Sequence, residues 1–160
     1  ASTSASTSGV GSLPTMSASA SGIVPQNNGI STKTVNDGGD VLQITADLSP
    51  VYSANASRVS SWVRNFTYQR SNHTLRIHDL CTVGSGVTPV FQVHTPVKAV
   101  RQSDGSYLAG ALRVTPTLPA SATISVVDMS NVSSDFSGTY RLEIRAPAGT
   151  CEFDVTLAAQ

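Results

Sequence analysis

What this chain lacks narrows its chemistry before anything it contains. Its 160 residues hold no Gly-rich phosphate loop, no nucleophile elbow, no dinucleotide fingerprint and no metal-ligand motif of recognisable spacing. No cofactor is therefore expected, and no metal. Charged residues make up only 12% of the sequence, ten basic against ten acidic, so the net charge is zero and no basic tail exists to hold DNA. A recognition helix and an aromatic-rich nucleic-acid sheet signature are missing as well. No apolar run approaches the roughly 20 residues that a membrane-spanning helix needs. Nor does the start read as a signal peptide, since Ala1 to Gly22 is almost wholly Ser, Thr, Ala and Gly, with neither a basic end nor an apolar centre. The expectation is a soluble chain or a mature fragment, with no nucleic-acid partner and no membrane insertion.

What is present is strand periodicity. In Thr139 to Arg145 the apolar side chains Tyr140, Leu142 and Ile144 alternate with polar ones, and in Cys151 to Leu157 so do Phe153, Val155 and Leu157. A strand with one buried face must read this way. Val41 to Leu48 repeats the pattern with Leu42, Ile44, Ala46 and Leu48. Arg58 to Arg70 carries apolar residues on both faces and is read as a central strand between two layers, and Thr74 to Leu80 returns from it as a hairpin. Thr88 to Val97, Tyr107 to Val114 and Thr123 to Val127 complete the set, with breaks at Thr115-Pro116 and Leu118-Pro119 and a loop over Asp128 to Gly138 before a final hairpin. No segment has helical period. The predicted fold class is all-β: a two-layer antiparallel β-sandwich of eight or nine strands over residues 41–160. Residues 1–40 are assigned to a Ser/Thr/Ala/Gly-rich linker or irregular segment, because such a composition buries too little apolar area to offset its ordering entropy.

Local charge is less even than the total. Between Arg64 and Arg101 stand Arg64, Arg70, Arg76, Lys98 and Arg101 against Asp79, five minus one or +4, together with His73, His78 and His94. That stretch suits a polyanion, and Arg70, Arg76, His78 and His94 are the candidate glycan contacts; the alternative is solvated strand faces neutralised by neighbours in space. His78 and Asp79, being adjacent, point to opposite faces and cannot form a dyad. Trp62 and Tyr68 either stack on sugar rings or fill the core. Cys81 and Cys151 form one disulfide or remain two buried thiols, and the Ser/Thr-rich, charge-poor composition favours the bridge and a secreted, periplasmic or cell-surface location. Asn55-Ala56-Ser57, Asn65-Phe66-Thr67, Asn72-His73-Thr74 and Asn131-Val132-Ser133 match the glycosylation acceptor pattern.

Five pieces occur in order: Ala46-Asp47-Leu48-Ser49-Pro50-Val51-Tyr52; Val59 to Phe66 with Arg64; Leu75-Arg76-Ile77-His78-Asp79; Phe91-Gln92-Val93-His94-Thr95; and Tyr140-Arg141-Leu142-Glu143-Ile144 with a closing Phe153 to Leu157. In this order they resemble the C-terminal β-sandwich of heparinase II/III-like polysaccharide lyases, over roughly Val41 to Leu157. The resemblance implies a role in β-elimination of uronate-containing glycans, in which a base takes the C5 proton, an acid protonates the leaving oxygen, and the sugar carboxylate is neutralised by its neighbours. It also implies that the base and acid lie in upstream catalytic domains, so this chain is expected to be part of a lyase and not catalytic in isolation. Its expected partners are those domains and an acidic polysaccharide. Asp47, Arg64 and Asp79 are read as structural: an inward Arg64 needs a carboxylate, either Asp47 or Asp79, since a buried unpaired charge is strongly destabilising. The alternative reading is an independent carbohydrate-binding or adhesion module of a cell-surface protein.

Overall fold

The alternating segments do become strands, and this computed structural model describes them over residues 31–160. Along the chain the strands are β1 (Ser31–Asp37), β2 (Val41–Asp47), β3 (Val59–Gln69), β4 (Thr74–Val83), β5 (Val90–Thr95), β6 (Val100–Arg101), β7 (Tyr107–Ala109), β8 (Leu112–Leu118), β9 (Thr123–Asp128), β10 (Tyr140–Arg145) and β11 (Glu152–Ala159). They form an eight-stranded sheet in the order β1-β2-β3-β4-β11-β8-β7-β6 and a three-stranded sheet in the order β5-β10-β9, with every pairing antiparallel. The fold is a two-layer β-sandwich, and β3 and β4 pair as the expected hairpin.

Four details depart from the sequence reading. The sheet begins within the stretch assigned to an irregular segment, because β1 pairs with β2; residues 1–30 lie outside the described residues. The strand expected over Tyr107 to Val114 is split by Gly110, whose φ of 61° turns the chain into the β7–β8 hairpin, and β8 then runs on through Pro116. Proline donates no hydrogen bond, and the ladder accommodates it with an irregularity between Asp154 and Val155 of β11. There are thus eleven strands among the described residues. Third, β10 and β11 are not a hairpin: β10 lies between β5 and β9 in the small sheet, while β11 crosses to the large sheet between β4 and β8. Each apolar face therefore meets the other across the interface. Finally, β3 is central within its sheet but its outer row of Val63, Asn65 and Thr67 has no strand layer over it; Val59 is buried where the register shifts between Val59 and Ser61.

The core is what those alternations dictate. Leu142 and Ile144 of β10, Phe153 and Val155 of β11 and Val114 of β8 have no exposed surface. Phe91 and Phe153 meet across the layers with ring centroids 5.9 Å apart. Burying a side chain such as Phe153 contributes roughly 1.5–3 kcal/mol. A 3₁₀ turn over Ser49–Asn55 seals one end: Tyr52 stacks on Trp62 at 5.5 Å, and the Ser49 hydroxyl accepts from the Trp62 amide at 2.9 Å. Trp62 is a core residue and not a sugar platform. Because the large sheet extends beyond the small one, Leu42, Ile44, Phe66, Tyr68 and Leu75 line an apolar depression on its inner face.

β11 joins the β1–β4 meander to the β6–β8 half of the sheet, and the Cys81–Cys151 disulfide ties the start of β11 to β4 beside a Cys81 amide to Cys151 carbonyl hydrogen bond of 3.0 Å. The bridge closes a separation of 70 residues, which in the chain-entropy model stabilises the fold by about 4 kcal/mol. Replacing both cysteines by serine is expected to lower the urea midpoint by an amount equivalent to that free energy divided by the denaturant slope, read from the fluorescence of the single tryptophan. An unchanged midpoint would mean that strand pairing alone fixes β11.

Candidate functional site

One transverse row crosses the large sheet on its inner side. Ala46, Arg64, Asp79 and Phe153 stand in register on β2, β3, β4 and β11. Arg64 Nε and Nη2 donate to Asp79 Oδ1 and Oδ2, each at 2.6 Å, and the Arg64 guanidinium carbon lies 5.1 Å from the centre of the Phe91 ring on the opposing sheet. Asp79 is wholly buried and the Arg64 side chain is 13% exposed. Asp47, one residue after Ala46, points the other way and accepts from the Ser49 amide at 3.0 Å, opening the 3₁₀ turn. Asp79 is therefore the carboxylate that Arg64 meets. Breaking a buried pair strands the remaining charge and costs about 3–5 kcal/mol. Arg64→Met should destabilise the domain by that order in urea, and Arg64→Met with Asp79→Leu should recover much of the loss. Equal stability of wild type and Arg64→Met would show that the pair does not hold the core.

The outer face of the large sheet is polar and neutralised pair by pair. Arg76 donates from Nε and Nη2 to Asp154 Oδ1 and Oδ2 at 2.9 and 2.6 Å, and His78 Nε2 lies 2.9 Å from Glu152 Oε1. Arg70, next to the β3–β4 turn, forks onto Asp37 at 2.9 and 3.0 Å and also donates to the Gly39 carbonyl. His73 in that turn adopts the left-handed conformation at φ 53°, with its Nδ1 3.4 Å from the Tyr68 hydroxyl. The excess of positive charge seen between Arg64 and Arg101 is thus offset in space by Asp37, Glu152 and Asp154, which sequence places far away. The hydrogen bonds from Arg76 hold the Asp154 carboxyl below its ordinary range, with burial opposing and the Arg76 and His78 charges assisting. A depressed carboxyl stabilises the fold above the unfolded value near 3.9, and that stability is lost as pH falls through the folded pKa. Arg76→Gln should therefore be destabilising at pH 7, with the gap to wild type narrowing in melts run below about pH 4 and closing only beneath the depressed pKa of the folded Asp154 carboxyl. A gap independent of pH would remove the ion pair as its cause.

The outer face of the small sheet differs. β10 alternates Leu142 and Ile144 inward with Arg141, Glu143 and Arg145 outward, and His94 and Gln92 of β5 stand opposite Arg141 and Glu143. Glu143, 8% exposed, meets two guanidinium groups: Arg141 Nη2 at 2.5 Å on Oε1 and Arg145 Nη2 at 2.9 Å on Oε2. Two cations on one carboxylate leave a local +1. Arg141 Nε is buried with no hydrogen-bond partner, whereas Arg145 is 40% exposed. Desolvation against the sheet, and after it the Arg141 charge, hold the His94 imidazole below its ordinary value, Glu143 partly opposing.

Of the four candidate glycan contacts, then, Arg76 and His78 share the outer face of the large sheet, Arg70 lies at its β3–β4 end, and His94 stands alone on the other sheet beside Arg141. Arg141, Glu143 and Arg145 were missed by the sequence reading, although Arg-x-Glu-x-Arg on a strand of period two was a visible signal that all three share one face. Among the described residues no group of three His, Cys, Asp or Glu side chains could hold a metal ion, and no helix is long and apolar enough to cross a membrane.

No protein-family model matches the chain, and no curated protein does. Any functional reading has to rest on its own residues.

Proposed function

We propose that this chain is the C-terminal β-sandwich portion of a secreted polysaccharide lyase acting on uronate-containing glycans, with a structural or substrate-edge role and no complete active site of its own. The observation that carries the reading is the transverse row. Four of the pieces that carry the resemblance to heparinase II/III-like lyases, those around Asp47, Arg64, Asp79 and the closing Phe153, meet in one line of cross-strand neighbours, and a fifth supplies Phe91 above it. An order of weak sequence pieces that folds into a single packed unit is more specific than the pieces themselves.

Two further features agree with a supporting domain. The candidate cations of the large sheet are paired with carboxylates, so that face offers little net charge to a substrate. The apolar depression at Leu42, Ile44, Phe66, Tyr68 and Leu75 lies across β2, β3 and β4 and is the kind of face that a neighbouring domain would cover. β-Elimination would then use a base and an acid from that upstream part, while this sandwich braces it and presents positive charge at the edge of the cleft.

The test is an assay for unsaturated uronate absorbance on heparin-like, chondroitin-like and alginate substrates, with the chain alone and mixed with the upstream part of its parent. Activity in the mixture and none in the chain alone is the expected result. Silence in both, accompanied by glycan binding to the chain alone, would favour an independent carbohydrate-binding module.

A further inference from the structure

The two outer faces of the sandwich treat positive charge differently. On the large sheet Arg70, Arg76 and Arg113 each meet an aspartate, Asp37, Asp154 and Asp104, at 2.6–3.0 Å. On the small sheet one glutamate answers two arginines, one of which keeps a buried Nε without a partner. A buried donor left unpaired costs about 1–3 kcal/mol, and unbalanced charge in a partly desolvated setting interacts more strongly than in water. The cations also converge. Arg141 and Arg145 flank Glu143 on one strand and each donates to one oxygen of its carboxylate, while His94 stands opposite Arg141 on β5. Their remaining donors form one cationic cluster around a single carboxylate.

We propose that the strip Arg141–Glu143–Arg145, with His94 at its edge, is a binding site for the carboxylate or sulfate groups of an acidic sugar chain. An anionic group sits at the exposed Arg145 guanidinium with Arg141 and His94 beside it, while Glu143 holds the two arginines in place and restrains the affinity by its own charge. The site deepens the lyase reading by naming the surface that would edge the substrate, but it needs no lyase activity to exist. The groups that face His94 are Arg141 and Glu143. A bound anion adds negative charge there, so the imidazole should take up a proton more readily in the complex than in the free protein.

The experiment is calorimetric titration of the full 160-residue chain at low salt with a heparin-derived hexasaccharide, with a neutral hexasaccharide and with inorganic sulfate, repeated for Arg145→Gln, Arg145→Lys and Glu143→Gln. Expected are binding of the acidic oligosaccharide, none of the neutral one, and much weaker binding of free sulfate. Arg145→Gln should weaken the acidic ligand about tenfold, Arg145→Lys less, and Glu143→Gln should tighten it, a sign that a merely structural glutamate would not produce. Melts of each variant check that it is folded, and Arg145, at the surface, supplies the result if Glu143→Gln does not fold. Sulfate binding as tightly as the oligosaccharide would mean a free-anion site. Absence of acidic-ligand binding, or binding that Arg145→Gln leaves unchanged, overturns the proposal. If the site binds as expected while the mixed lyase assay is silent, only the lyase reading fails; active lyase with no effect of Arg145→Gln on binding removes this inference alone.

Discussion

The buried contact between Arg64 and Asp79 constrains everything else in this sandwich. A guanidinium and a carboxylate facing each other on neighbouring strands can be tolerated inside a core only if both hydrogen bonds form together, and a slip of one residue in the β3–β4 register would turn every side chain of one strand to the wrong face. The pair therefore fixes the hairpin. Its other side needs an apolar cover that tolerates a cation, and the Phe91 ring of the small sheet provides one. Phe91 in turn packs on Phe153, which sits in register with Asp79. One polar contact thus links the meander, the central β11 and the opposing layer.

From that centre the two outer surfaces diverge in chemistry. The large sheet pairs Arg76 and His78 with carboxylates of the adjacent β11, and Arg70 and Arg113 with Asp37 and Asp104, which leaves a polar outer face of little net charge. The small sheet packs Leu142 and Ile144 inward with no exposed surface, so the same strand must present its alternate residues outward, and those are Arg141, Glu143 and Arg145. The positive cluster is a direct consequence of the period-two rule applied to a strand whose inward Leu142 and Ile144 are completely buried. Scaffold and candidate recognition surface are two sides of β10.

Much of this was legible in the sequence, for physical reasons that also explain what was not. Alternation at Tyr140 to Arg145 and Glu152 to Leu157 marked strands, because one side of each had to be buried; whether the two strands pair with each other is not a local property, and they face each other across the core. The need of Arg64 for a carboxylate followed from the cost of a buried charge, and Asp79 is that partner. Charge counted along the chain does not reveal the partners of Arg70 and Arg76, since Asp37 and Asp154 approach them only through β1–β2–β3 and β4–β11 pairing. Gly110 and Pro116 looked like the middle and the end of strands; the first is a turn because of its positive φ, and the second is absorbed by a ladder irregularity.

The central claim is that recognition belongs to the small sheet and bracing to the large one. Backbone amide chemical shifts followed while an acidic oligosaccharide is added to the chain test it most directly. Perturbations confined to β5 and β10, strongest around His94, Arg141, Glu143 and Arg145, are the result this account predicts. Perturbations centred instead on Arg76, His78 and the outer rows of β3, β4 and β11 would contradict it.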